Sequence, residues 1–205
     1  MPTLSIHYAA MSGDLDETRL LIYGDFSLAN VTDDYGRTPL HHAAINGHIT
    51  VADFLLANGA DINAKDIWGR TPLFVGIYEE PLVQDHTPIT EFLISMGADI
   101  NCKDEQGAAP LHMAAFFGER QIIALLLKAN ADINVQDTCG DTPLHYATVY
   151  PETETVRLLL SQPGVTPQSK NLKGLTPRDI AVEKGNTRSV ELFDGPDGFK
   201  GHAQR

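Results

Sequence analysis

Eight histidines, 27 carboxylates and two cysteines are the groups in this 205-residue chain that could ligate a metal or move a proton. Three of the histidines, His41, His112 and His145, recur in one local setting, Pro-Leu-His, and invite the idea of a metal array. Geometry argues against it. Equivalent positions in neighbouring helical units sit a helix-packing distance apart, roughly 8–10 Å, while ligands of one zinc ion must each lie about 2 Å from it. No metal and no cofactor is expected. His42 follows His41 directly, so on a helix the two side chains diverge by about 100° and His42 is expected to face outward.

A nucleophile with its base and orienting group is also missing. The sequence contains no Gly-x-Ser-x-Gly, no phosphate-cradling loop ending in Lys-Ser or Lys-Thr, no His-Glu-x-x-His and no Cys-x-x-Cys. An enzyme is therefore not expected. Cys102 and Cys139 are too few for a disulfide framework, which favours a reducing compartment: the cytosol, with the nucleus or a host cytosol as alternatives. The formal net charge of −12 opposes binding to a phosphate backbone or an anionic membrane surface, so neither nucleic acid nor membrane is an expected partner. No apolar run approaches the roughly 18 residues of a spanning helix, and the N-terminal stretch lacks the pattern of a secretory leader.

What organises these residues is a repeat. The block Gly-x-Thr-Pro-Leu at 36–40 returns at 69–73 and 140–144, and in altered form at 107–111 and 174–178. The glycines are 33, 38, 33 and 34 residues apart, a period that marks a helical hairpin copied and stacked. In one unit Thr38 offers a cap, Pro39 suits the first helical position, and Leu40, Ala43 and Ala44 face a core up to Gly47. A second helix carries Ile49, Val51, Phe54, Leu55 and Leu56 and stops at Asn58-Gly59. A polar turn around Asp66–Gly69 then leads to the next block. The expected units are 1–33, 34–66, 67–104, 105–137, 138–171 and 172–195 in a single domain, with the first and last as polar-faced caps and 196–205 as a flexible tail or a linear motif. The third unit carries five extra residues within 78–86, either a tolerated surface loop or a specificity loop.

TPLHHAAINGH followed by FLLANGADINAKD resembles the ankyrin repeat, and the likeness extends over residues 4–195 through APLHMAA, TPLHYAT and the recurring GADIN and NADIN. The resemblance implies an all-α solenoid of stacked helix-turn-helix units joined by β-hairpin loops. It implies that the repeated histidine hydrogen-bonds within and between the hairpin turns. It also implies a non-catalytic adaptor or scaffold, a monomer on its own, that grips another protein with its hairpin tips and the exposed side of its first helices.

Carried over by position, the contact set is Tyr35, Arg37 and His42 in the second unit, and Trp68, Arg70, Val75 and Tyr78 in the third. Glu105, Gln106, Met113, Phe116 and Phe117 follow in the fourth, then Asp141, Tyr146, Val149 and Tyr150 in the fifth. The lone tryptophan and four of six tyrosines fall in this set, at sites where the repeat does not demand aromatics. Tyr35, Arg37, Trp68 and Arg70 are expected to point outward, while Phe117, Val149 and Tyr150 could equally turn in. Two other readings stay open. One is an inhibitor that fills an enzyme cleft with the same face. The other is a substrate of an asparaginyl hydroxylase, since Asn63, Asn101 and Asn134 each follow a leucine by eight residues, an arrangement similar to that enzyme's sites in ankyrin proteins.

Overall fold

The computed structural model describes residues 2–78, 85–150 and 153–195, and its contacts gather the chain into two units, Met1–Glu105 and Gln106–Arg205. The first unit contains α1 (Pro2–Ser12), α2 (Leu15–Gly24), a 3-10 turn (Phe26–Asn30), α3 (Pro39–Ile45), α4 (Ile49–Ala57), α5 (Pro72–Tyr78) and α6 (Thr87–Ser95). The second contains α7 (Pro110–Phe117), α8 (Arg120–Lys128), α9 (Pro143–Ala147), α10 (Glu154–Leu160), α11 (Pro177–Glu183) and α12 (Thr187–Asp194). Within each unit, consecutive helices pair as hairpins and the first helices of successive hairpins pack on one another, α1 on α3 on α5 and α7 on α9 on α11. Each unit is thus an all-α stack of helical hairpins, as the resemblance to the ankyrin repeat implies.

Small residues set the spacing between first helices. Ala43 and Ala44 are fully buried, and a Cβ on Gly76 of α5 would meet the Ala44 carbonyl oxygen at 3.4 Å. Leu40, Val51 and Leu55 fill the space between the layers with no exposed surface, as the helical spacing of these residues requires.

Helix starts differ in detail from the sequence expectation. The Thr38 hydroxyl does not cap a backbone N–H; it lies 2.9 Å from His41 Nδ1, which accepts the Thr38 N–H at 3.0 Å. The histidine thus plays the part that glutamate plays in a capping box. His145 does the same for Thr142, and His112 accepts the N–H of Ala109, where no hydroxyl is present. In the last repeat Asp179 takes over, accepting from both the N–H and hydroxyl of Thr176 at 2.9 and 2.7 Å.

The loops between repeats form turn fingers, with no strand among the described residues, in place of the expected β-hairpins. The fingers at Asp33, Asp66, Asp137 and Asn171 each close on themselves by two backbone bonds, as Asp66 N–H to Arg70 O at 3.0 Å and Gly69 N–H to Asp66 O at 2.9 Å. One further bond joins tip to tip: Ile67 N–H to Tyr35 O, Glu105 N–H to Trp68 O, Thr138 N–H to Gln106 O and Leu172 N–H to Cys139 O. Single bonds of this kind align the fingers without making a sheet ladder. The first hairpin leaves Tyr8, Met11 and Leu20 exposed, a more apolar surface than a polar cap implies. Residues 79–84 of the insertion and the tail 196–205 lie outside the described residues. At the insertion's end, His86 Nε2 contacts the Ile45 carbonyl at 2.8 Å and Asp85 accepts the Thr87 N–H at 2.9 Å.

Candidate protein-binding face

Three fingers are built on an aspartate, Asp33, Asp66 and Asp137, whose two side-chain oxygens do different work, and a fourth on Asn171. Oδ1 of Asp66 accepts the N–H groups of Trp68 and Arg70, both at 2.9 Å, and closes the turn. Asp33 and Asp137 repeat the pattern, and Asn171 does so for Lys173 and Leu175. Oδ2 then reaches toward the expected contact residues. Asp33 Oδ2 meets His42 Nε2 at 2.9 Å, Asp137 Oδ2 accepts the Tyr146 hydroxyl at 2.9 Å, and Asp66 Oδ2 takes Arg70 Nε and Nη2, both at 2.8 Å. The finger aspartate therefore anchors one of the expected contact side chains as well as the turn, a coupling that the sequence does not announce.

In the first unit this produces an aromatic and cationic stack. Tyr35 and Trp68 lie with ring centroids 5.8 Å apart and planes 18° from parallel, and the Arg70 guanidinium sits 4.3 Å from the Trp68 centroid. Arg37 stands 5.9 Å from the Tyr35 ring and 5.8 Å from that of Trp68, with its Nε 3.9 Å from Asp66. Tyr35 is 56% exposed and projects outward; Trp68 is half-buried. Arg70, expected outward, is only 8% exposed, because the fully buried Asp66 carboxylate draws it in. Arg37 is likewise partly buried.

His42 does not face outward as expected. It turns back to Asp33, its ring 5.3 Å from that of His7, and burial keeps it below the usual histidine pKa despite the hydrogen bond to Asp33. Burial raises the pKa of Asp33 itself, but the N–H groups of Arg37 and Tyr35 and the His42 ring outweigh it and hold the carboxyl below its ordinary value. Val75 is fully buried and also leaves the contact set. Tyr78 ends α5.

In the second unit Phe116 centres a ring cluster, with Phe117 at 5.1 Å, Tyr150 at 4.9 Å and Tyr146 at 6.2 Å, all edge-to-face. Tyr146 also meets His112 at 4.9 Å. Met113, expected in the contact set, is buried in α7 at 7% exposure and leaves that set. Gln106 is exposed, as is Glu105 at the end of the first unit; Asp141 and Tyr146 are half-buried.

The buried histidines complete the framework. His41 Nε2 reaches the Arg70 carbonyl at 3.0 Å, His112 that of Asp141 at 3.0 Å, and His145 that of Leu175 at 3.1 Å. Each ties the start of one first helix to the base of the next finger. Burial pushes the His41 pKa down to about 4 and lowers that of His145. Among the described residues no three His, Cys, Asp or Glu side chains gather where a metal could sit, and no helix is long and apolar enough to cross a membrane.

Two of the asparagines matched to a modification site serve as loop clamps. Asn63 accepts the Asp99 N–H at 2.9 Å; Asn134 donates to Gly164 O at 2.7 Å and accepts from Thr166 N–H at 2.9 Å. Asn30, missed in the sequence because no GADIN surrounds it, does the same with Gly59 O and Asp61 N–H, both at 2.7 Å. Asn101 is exposed.

Comparison with known proteins agrees with this architecture. Over 63 residues the chain is 46% identical to mouse 26S proteasome non-ATPase regulatory subunit 10, covering 31% of this chain and 27% of that protein. It is 40% identical over 68 residues to human inversin, covering 33% and 6% respectively. It is 38% identical over 73 residues to the Caenorhabditis elegans homolog of transient receptor potential cation channel subfamily A member 1, covering 36% and 6%. The aligned stretch thus spans well under a third of each relative. The family profile described as Ankyrin repeats (3 copies) matches residues 3–66, 65–137 and 111–198, and the chain belongs to the ankyrin-repeat family.

Proposed function

We propose that this chain is a non-catalytic interaction module that holds another protein with its finger tips and the adjoining side of its first helices. Ankyrin repeats are generally protein–protein interaction modules. The observation that supports the reading here is the Tyr35–Trp68 stack with its two arginines. Tyr, Trp and Arg dominate binding hot spots because they bury much surface at little rotamer cost. Here the two rings stack on each other and Trp68 also packs against Arg70, which Asp66 holds, so docking a partner sacrifices little further side-chain freedom.

The test is affinity purification of the partner from native lysate, followed by binding to the double variant Tyr35→Ala, Trp68→Ala. Loss of binding by at least about a hundredfold with unchanged helical circular dichroism is expected from removing two central aromatics. Binding that survives in the double variant would place the contact elsewhere.

A further inference from the structure

The second unit holds a cleft of about 320 Å³ walled by Phe116, Tyr146, Asp137 and Asp141, with the exposed Lys184 also on its lining. Its two carboxylates are not equivalent. Asp137 is fully engaged: Oδ1 accepts the N–H groups of Cys139 and Asp141, both at 2.8 Å, and Oδ2 accepts the Tyr146 hydroxyl. Asp141 uses Oδ1 for the Asn171 amide at 2.7 Å, and its Oδ2 accepts no hydrogen bond from the described residues. Asp141, with one carboxylate oxygen of open acceptor capacity, thus lines a cleft that also carries the Phe116 and Tyr146 rings, His145 and the aliphatic side chains of Val149 and Ile180.

Resting on the interaction-module reading, we propose that this cleft receives an arginine side chain of the partner protein. Three features select it. A guanidinium can donate to Asp141 Oδ2 while lying against the Phe116 and Tyr146 rings, combining a charge-assisted hydrogen bond with a cation–π contact. Two carboxylates against one lysine leave the lining negative, so an anionic side chain is repelled and an apolar one would strip water from Asp141 without replacing its bond. The net charge of −12 also favours approach of a cationic surface. Engagement of Asp137 by its own turn makes it a fixed wall, so Asp141 is the acceptor that decides specificity.

The experiment is an NMR titration of the whole chain with N-acetyl-arginine amide, using N-acetyl-citrulline amide as the neutral isostere and N-acetyl-leucine amide as the apolar probe. Saturable shifts are expected at Phe116, Asp141 and Tyr146 with the arginine probe alone. The Asp141→Asn variant, which still offers an acceptor to Asn171, should weaken binding about tenfold, the loss of one charge-assisted bond. Lys184→Glu should tighten binding severalfold, an effect no unfolding could mimic. Equal shifts from citrulline or leucine, no saturable shift up to the solubility of the probe, or indifference to both variants would overturn the proposal. The titration does not involve Tyr35 or Trp68, so a negative result leaves partner capture through that stack standing, and failed capture leaves the cleft chemistry to be judged by the probes.

Discussion

Acid should loosen this protein through His41 long before its carboxylates titrate. The ring is fully buried, with Nδ1 accepting the Thr38 N–H and Nε2 facing the Arg70 carbonyl, so the neutral Nε2–H tautomer satisfies both neighbours. A proton added at Nδ1 would confront that N–H in a site with no exposed surface. The folded pKa of about 4 lies below the ordinary 6.5, with burial as the first cause. The unfolded chain therefore takes up the proton first. Stability from this residue is complete above pH 6.5, falls by about 1.4 kcal/mol per pH unit below it, and levels off near pH 4 after a loss of about 3 kcal/mol. Urea unfolding followed by far-UV circular dichroism at pH 7 and pH 5 should show about 2 kcal/mol of loss traceable to this ring. His41→Leu should cost about 2–4 kcal/mol at neutral pH by stranding the Thr38 N–H and Arg70 carbonyl, yet lose about 2 kcal/mol less than the parent on acidification. Proton NMR of the parent supplies a readout independent of whether the variant folds: the His41 ring should stay neutral through pH 5. A ring titrating near 6.5, or a variant with undiminished acid sensitivity, would refute the reasoning.

Gly107→Ala and Gly174→Ala should separate strain from collision, because both glycines have φ near +75° (74° and 78°) but only at Gly107 would the new Cβ meet a backbone nitrogen, Thr138 N at 2.9 Å. Gly174→Ala should cost about 1 kcal/mol and Gly107→Ala about 2–3, read from denaturation midpoints; equal costs would show that the finger tips yield freely. Asn134→Ala should cost about 1–2 kcal/mol, with Asn134→Asp between it and the parent, since aspartate keeps the acceptor for Thr166 and loses the donor to Gly164. In the native chain a thiol reagent should modify the exposed Cys139 alone, while Cys102, buried against Thr71 and pushed up to about 11, should react only on unfolding; two fast thiols would contradict the packing.

The fold was legible in the sequence because a repeat is self-checking: each Thr-Pro-Leu-His predicts the next, and hydrophobic spacing, proline placement and turn glycines all agree. Side-chain direction was not. Repeat position alone made Arg70 and His42 outward residues, but direction depended on the second oxygen of a finger aspartate whose first oxygen already had a sequence explanation. Met113 differs: it is buried in α7, and an unbranched thioether side chain is as much at home in a core as on a contact face, so residue type gave no signal of direction.

That double use of the finger aspartate has a consequence for how binding surfaces vary along such an array. At Asp33, Asp66 and Asp137 the turn chemistry is constant, whereas the partner of Oδ2 is a histidine, an arginine and a tyrosine in turn. The turn can thus hold its geometry while the anchored side chain changes, because the two oxygens are satisfied independently. Replacing Tyr146 by phenylalanine tests this separation. The Asp137 turn bonds to Cys139 and Asp141 should persist, and stability should fall by only about 1 kcal/mol, the net worth of one hydroxyl bond. Hydrogen exchange at the Cys139 and Asp141 amides should remain as slow as in the parent. If those amides instead open, the hydroxyl is holding the turn together, and the anchored side chains are part of the scaffold.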